Sequence, residues 1–213
     1  LLGIINNILD FSKIEAEKLE LELRPTSIKE VLESIRQVVR YDLEQKDLKL
    51  HIQIEESIPK ILFVDPVRLK QILLNLVSNA IKFTSIGQIT ITLKIKKEIN
   101  SGFYKIRFSV VDTGIGIMLE NRKKIFDAFL QEDNSTTRKY GGTGLGLTIT
   151  KQLLKLMDSK LKVKSIPLEG STFYFNLVVE ESEKNEIETA TTNLEVNTYD
   201  TTQFQIKILI AED

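Results

Sequence analysis

The sequence predicts an α+β fold, a layer of helices packed on an antiparallel-looking sheet. Two observations predict it. Three stretches repeat apolar residues at helical spacing, opened at Ser27, at Asp65-Pro66 and at a glycine run that includes Gly146. Four strand-like stretches, near 88–97 and 103–111, joined by a turn, and near 160–165 and 171–179, supply an antiparallel-looking sheet.

Each element has its own reason. Residues 1 to about 22 read as one helix, because Leu1, Ile4, Ile5, Ile8, Phe11 and Leu19 recur every three or four positions. That apolar stripe is wide for a solitary helix and needs a partner; Pro25 ends it. Ser27 and Glu30 have capping-box spacing and open a second helix to about Lys46, carrying Ile28, Val31, Leu32, Ile35, Val38 and Val39. Leu48-Lys49-Leu50-His51-Ile52-Gln53-Ile54 alternates as a strand does. Asp65-Pro66 pairs an N-cap residue with proline at the first helical position, and that helix runs to about Phe83. The strands near 88–97 and 103–111 are joined by a turn at Asn100-Ser101-Gly102. A short helix at about 119–129 leads through a polar stretch, 131–138, into the glycine run and the last helix. From Glu180 to about Gln203 the chain is rich in Thr, Asn and Glu and reads as a flexible linker.

Composition narrows the function. At 213 residues and 42% hydrophobic, the chain can bury one good core or two small ones. A net charge of −1 points neither to a nucleic-acid partner nor to direct membrane contact through a basic patch. With no cysteine there are no disulfides and no thiolate-bound metals, and a cytoplasmic location is the expectation. No apolar run approaches the ~20 residues that span a bilayer. The chain opens on Leu1 and closes on Ala211-Glu212-Asp213 just after an apolar run, so both ends read as cut from something longer.

Three motifs carry chemistry. In Gly141-Gly142-Thr143-Gly144-Leu145-Gly146-Leu147 four glycines fall within six positions and a helix follows at once. Glycine lets the backbone approach a ligand closely, and a helix N-terminus aims free N–H groups and positive charge outward. The stretch suits phosphate, although a glycine-rich turn without a ligand looks the same. On the Asp65 helix, Asn75, Asn79 and Lys82 share one face at spacings of four and three. Two amides and a cation suit a magnesium triphosphate, or else make an ordinary polar face. Leu69, Leu73, Leu76 and Ala80 occupy the packing faces. In Val110-Val111-Asp112-Thr113-Gly114-Ile115-Gly116-Ile117 a buried strand delivers a carboxylate into a glycine turn. That aspartate can accept from an exocyclic amino group and so prefer adenine to guanine, or simply cap a β-turn.

Together the motifs are far more specific. Asn75-Leu76-Val77-Ser78-Asn79-Ala80-Ile81-Lys82-Phe83-Thr84, then Asp112-Thr113-Gly114-Ile115-Gly116-Ile117, then Gly142-Thr143-Gly144-Leu145-Gly146-Leu147 resembles, in order and spacing, the ATP-binding domain of sensor histidine kinases. Ile125-Phe126-Asp127-Ala128-Phe129 resembles that family's phenylalanine box, and Gly170-Ser171-Thr172-Phe173 its last short motif. Ile5-Asn6-Asn7-Ile8-Leu9-Asp10-Phe11-Ser12-Lys13-Ile14-Glu15-Ala16 resembles the second helix of the dimerisation and phosphotransfer hairpin. Lys207-Ile208-Leu209-Ile210-Ala211-Glu212-Asp213 is similar to the first strand of a receiver domain.

The resemblance implies a hybrid histidine kinase on the Bergerat ATP-binding fold, a two-layer α/β sandwich with a mixed, mostly antiparallel sheet. It divides the chain into part of the hairpin (1–24), the catalytic domain (25–180), a linker (181–204) and the start of a receiver (205–213). ATP and Mg²⁺ are the implied cofactors. Asn79 would ligate Mg²⁺ with Asn75 beside it, and Lys82 would contact phosphate. Asp112 would bond the adenine amino group, Gly114 and Gly116 would shape its turn, and Phe83 would pack near the base. Gly142, Thr143, Gly144, Leu145, Gly146 and Leu147 would line the phosphate end, with Ile117 and Thr172 also at the nucleotide. Residues 131–142 would form a mobile lid, with Arg138 a candidate for the γ-phosphate. Phe126 and Phe129 read equally as core. The implied partners are a second copy through the hairpin and a receiver domain, in the same chain or separate.

A histidine kinase needs an acceptor imidazole, and the sole histidine, His51, reads as a half-exposed strand residue. The acceptor is therefore expected before Leu1. Other ATPases of this fold activate water with a glutamate in the asparagine helix; here that position is Asn75, so transfer to a protein nucleophile is favoured over hydrolysis. A non-catalytic nucleotide-binding module is the third alternative.

Overall fold

The computed structural model describes residues 19–122, 124–126 and 146–182, together with Ser12, Ile14 and Ala16 of the leader. The order of elements is β1 (Arg24–Ser27), α1 (Ile28–Gln45), β2 (Lys49–Ile54), β3 (Ile61–Val64), α2 (Pro66–Phe83), β4 (Gln88–Asn100), β5 (Phe103–Asp112), a short 3-10 turn (Lys124–Phe126), α3 (Gly146–Leu156), β6 (Lys162–Ile166) and β7 (Gly170–Glu181). The expected α+β architecture is present: seven strands form one sheet, with helices packed against it. The chain divides into two units, Leu1–Glu183 and Lys184–Asp213, and the second lies outside the described residues. The linker and the receiver-like strand expected there therefore also lie outside them. In the leader, the Ala16 N–H donates to the Ser12 carbonyl at 3.1 Å, the bond of one helical turn.

Helix starts follow their caps. Ser27 accepts from the Glu30 N–H at 3.3 Å, and α1 buries Ile28, Val31, Leu32, Ile35, Val39 and Leu43. Val38, read from the sequence into the same stripe, is exposed. Asp65 caps α2 by accepting from the Val67 and Arg68 N–H groups at 3.0 and 2.9 Å. Its second oxygen accepts from the Glu22 N–H at 3.0 Å, which ties the end of the leader to α2. α2 buries Leu69, Ile72, Leu73, Leu76, Val77, Ala80 and Ile81, all four packing residues expected of it among them. Each leucine, isoleucine or valine among them contributes roughly 1.5–3 kcal/mol by leaving water.

The strand order is β1-β3-β7-β5-β4-β2, and β6 pairs with β7. All pairs are antiparallel except β2 with β4, so the sheet is mixed. β3 and β6 take opposite ends of one edge of β7, while β5 runs along its other edge. Alternate residues of the central strands face the helices: Ile89, Ile91 and Leu93; Ile106, Phe108 and Val110; Phe173, Phe175 and Leu177. Phe108 and Phe175 are register partners whose rings stack 5.2 Å apart. On the opposite face Arg107 lies over the Tyr174 ring and donates to Asn176.

Sequence reasoning missed two strands. β1 is Arg-Pro-Thr-Ser, three polar residues and a proline that a sheet tolerates only at an edge, which is where β1 lies. β3 is four apolar residues, too short to show any period. The helix expected at 119–129 is, among the described residues, a turn followed by the 3-10 segment.

Candidate nucleotide site

Asp112 ends β5 on the helix-facing side of the sheet, 7% exposed. Its Oδ1 accepts from the Gly114 N–H at 2.9 Å and the Ser171 N–H at 3.3 Å. Burial pushes the carboxyl pKa up, and those two N–H groups partly oppose the shift. Oδ2 accepts no hydrogen bond among the described residues, which leaves one lone-pair edge of a buried carboxylate for something else.

The turn after Asp112 is clamped on two sides. The Ile115 N–H donates to the Phe83 carbonyl at 3.2 Å, at the end of α2. The Leu168 N–H donates to the Ile115 carbonyl at 2.8 Å, and the Ile117 N–H to Ser165 Oγ at 2.7 Å, both from the β6–β7 hairpin. A Cβ on Gly114 would stand 2.3 Å from the Phe83 carbonyl oxygen, so only glycine fits without movement. Gly116 has φ +67°, and its Cβ would stand 2.1 Å from the Ile166 carbonyl oxygen. The two glycines thus shape the turn as expected, by close approach of three backbones.

On α2, Asn75, Asn79 and Lys82 are half-buried on the side away from the core. Asn75 Nδ2 donates to Thr150 Oγ1 of α3 at 2.8 Å, and a Cβ on Gly146 would lie 2.2 Å from Asn75 Oδ1. Asn75 therefore joins α2 to the first turns of α3. The Asn79 side chain makes no hydrogen bond among the described residues, so its amide remains open for a ligand. Lys82 Nζ sits 5.0 Å from the centre of the Phe83 ring, and burial lowers its pKa. Gly146 and Leu147 begin α3, with Leu147 packed against the core, as are Ile117 and Phe126. Arg138, Gly142, Thr143, Gly144, Leu145 and Phe129, and the lid expected at 131–142, lie outside the described residues.

One candidate residue, Thr172, stands on the other face of the sheet from Asp112. Thr172 pairs with Val111 and Lys164, while Ser171 pairs with Asp112 and Ser165. Neighbours along a strand point to opposite faces, so Ser171, not Thr172, shares the face of Asp112. Alternation counted back from the core residue Phe173 was the available signal. Thr150 and Ser165 were missed because neither falls in a recognisable motif; both are buried. Lys46 was also missed. Its Nζ donates to the carbonyls of Ile81 at 2.7 Å and Lys82 at 3.1 Å, closing the C-terminus of α2 under Lys82 and Phe83.

A buried carboxylate with an open edge, two glycines held against neighbouring backbone and a helix face of amides and an ammonium fit an adenine nucleotide. The family model for histidine kinase-, DNA gyrase B- and HSP90-like ATPases matches residues 64–181, more than half of the chain. The chain belongs to that family. It is 39% identical over its whole length to hybrid signal transduction histidine kinase K of Dictyostelium discoideum, of which it covers 18%. Over 83% of its length it is 45% identical to the sensor histidine kinase GacS of Pseudomonas protegens, covering 19% of that protein. The chain thus spans about a fifth of the length of these relatives. Among solved structures, full-length ShkA in complex with AMPPNP matches 85% of this chain and 36% of its own, at TM-score 0.73 and 31% identity. The catalytic domain of the histidine kinase ThkA matches 74% of this chain and 95% of its own, at TM-score 0.60 and 25% identity. The sequence resemblance and the fold it implied are both borne out. No helix among the described residues is long and apolar enough to cross a membrane. His51 is exposed on β2, as a strand residue.

Proposed function

We propose that the chain is the ATP-binding catalytic part of a hybrid sensor histidine kinase, which passes the γ-phosphoryl group of ATP to a histidine outside this chain. One observation carries the reading. The open edge of Asp112 accompanies a helix, α2, that offers amides and an ammonium but no carboxylate. Asp112 accepts from the exocyclic amino group of adenine; the keto oxygen of guanine would be repelled there. Asn79 would hold Mg²⁺ through its amide oxygen, and Asn75 would keep α3 seated so that its N-terminus faces the phosphates. Lys82 and Arg138 meet phosphate oxygens, and Gly142, Gly144 and Gly146 let the backbone come close. Mg²⁺ would supply neutralisation of phosphate charge there.

The absence of a carboxylate on α2 supports transfer over hydrolysis, because an amide cannot take a proton from water at neutral pH. In the transfer the acceptor imidazole nitrogen bonds to the γ-phosphorus in line with the breaking bond to the bridging oxygen, and ADP leaves. The leader supplies the second helix of a dimerisation hairpin, so the parent acts as a homodimer. Residues 205–213 open a receiver domain that takes the phosphoryl group onward, and the machinery works in the cytoplasm.

The test mixes this chain and γ-labelled Mg-ATP with a longer form of the parent whose Asn79 is replaced by Asp but whose acceptor histidine is intact. Acid-labile label on the longer partner is expected, and none when this chain also carries Asn79→Asp. Release of inorganic phosphate without label would favour the ATPase reading. Nucleotide binding with neither product would favour a regulatory module.

A further inference from the structure

Resting on that reading of Asp112, we propose that Ser165 is a positioning residue for nucleotide selectivity: its hydroxyl joins the turn after Asp112 and Ser171 into one hydrogen-bonded unit that fixes where the carboxylate stands. The register places Asp112, Ser171 and Ser165 side by side at the ends of β5, β7 and β6. Directly paired residues share a sheet face, so the three form a polar row at the end of an otherwise apolar layer, 7%, 6% and 6% exposed.

The bonds run through Ser165. The Ile117 N–H donates to Ser165 Oγ at 2.7 Å, and that oxygen lies 2.9 Å from the Gly170 carbonyl and 3.0 Å from Ser171 Oγ. The Ser171 N–H in turn donates to Asp112 Oδ1 at 3.3 Å. The Ser165 backbone is held as well, because Arg122 Nη2 donates to its carbonyl.

A hydroxyl has one proton and two lone pairs. One arrangement serves all three neighbours: Ser165 donates to the Gly170 carbonyl and accepts from both the Ile117 N–H and the Ser171 hydroxyl. Ser171 then offers only lone pairs to the pocket beside Asp112. Deleting the Ser165 hydroxyl leaves the Ile117 N–H unpaired and frees Ser171 to turn. The two clamps on the carboxylate, Gly114 from the turn and Ser171 from the strand, then lose their common support.

Such a role shows in selectivity, not in affinity alone. A fold that is merely weakened loses ATP and ITP binding by the same factor, so their ratio is unchanged. ITP carries a keto oxygen where adenine has its amino group. Calorimetric titration of the 213-residue chain with each nucleotide in Mg²⁺ gives that ratio. Asp112→Asn should collapse the preference for ATP; if it does not, the reading of Asp112 falls and this inference with it. Ser165→Ala should lower the ratio about fivefold, the size of one buried hydrogen bond. Ser165→Thr, which keeps the hydroxyl, should restore it. A ratio within about twofold of the parent in Ser165→Ala, alongside a collapsed one in Asp112→Asn, would overturn the assignment to Ser165. So would a ratio that stays low in a folded Ser165→Thr protein.

Discussion

Asp112 has one oxygen held by backbone and the other left open, in a place where water scarcely reaches. A carboxylate so placed is poorer in stability than it would be in water, and its raised pKa is the record of that cost. The consequence depends on pH. Below about pH 4 the carboxyl is protonated in the folded and unfolded chain alike and imposes no penalty. As pH rises through the elevated folded pKa, the unfolded chain has already released its proton while burial opposes release in the native state, and stability falls. Asp112→Asn should therefore raise the thermal midpoint at neutral pH and lose that advantage as pH drops toward 4, measured by melting over a pH series. An advantage that persists at low pH would point to packing instead of charge. Lys82 shows the reverse sign: burial lowers its pKa, and a phosphate brought beside it would offset the lost hydration. Among these residues the motif made Asp112, Gly114 and Asn79 legible. It did not separate Ser171 from Thr172, because the choice of face depends on strand register.

Helix α2 is capped at both ends by groups outside its apolar stripe. Asp65 at its start was legible, being local chemistry between a side chain and the next two N–H groups. Lys46 at its end was not, because the ammonium comes from beyond the end of α1, thirty-five residues before the Ile81 carbonyl it meets. A cation at a helix C-terminus answers the negative end of the dipole and satisfies carbonyls that would otherwise lack partners. Replacing Lys46 by Ala should cost about 1 kcal/mol in urea unfolding. It should also weaken nucleotide binding, because Lys82, Phe83 and the Phe83 carbonyl that receives Ile115 all sit on that last turn. A variant as stable as the parent would assign the helix end to packing alone. The short edge strand β1 and the four-residue β3 show the limit from the other side: elements this brief carry no period and exist because a neighbouring edge accepts them.

For the whole molecule, every buried core residue among those described lies between Ile14 and Val179, within the first unit. The candidate nucleotide site draws on α2, α3, β5 and the β6–β7 hairpin, elements spread across about a hundred positions of sequence. That dispersal explains why the motifs were so telling in combination and so weak singly. Each is a local device, a glycine turn or a polar helix face, and only their order pointed to one family.

By itself the sequence determined the helices with caps and a full apolar stripe, the long central strands, the family and the residue types at the site. These follow from interactions over three or four positions, or from motifs whose spacing is written in the chain. Tertiary structure decided the rest. It set which of two adjacent residues stands beside Asp112, turned Asn75 toward Thr150 while leaving Asn79 open, and brought Ser165 and Lys46 to places their neighbours in sequence do not suggest. Register and packing are properties of pairs far apart in the chain, and a strand shifted by one residue presents its other face.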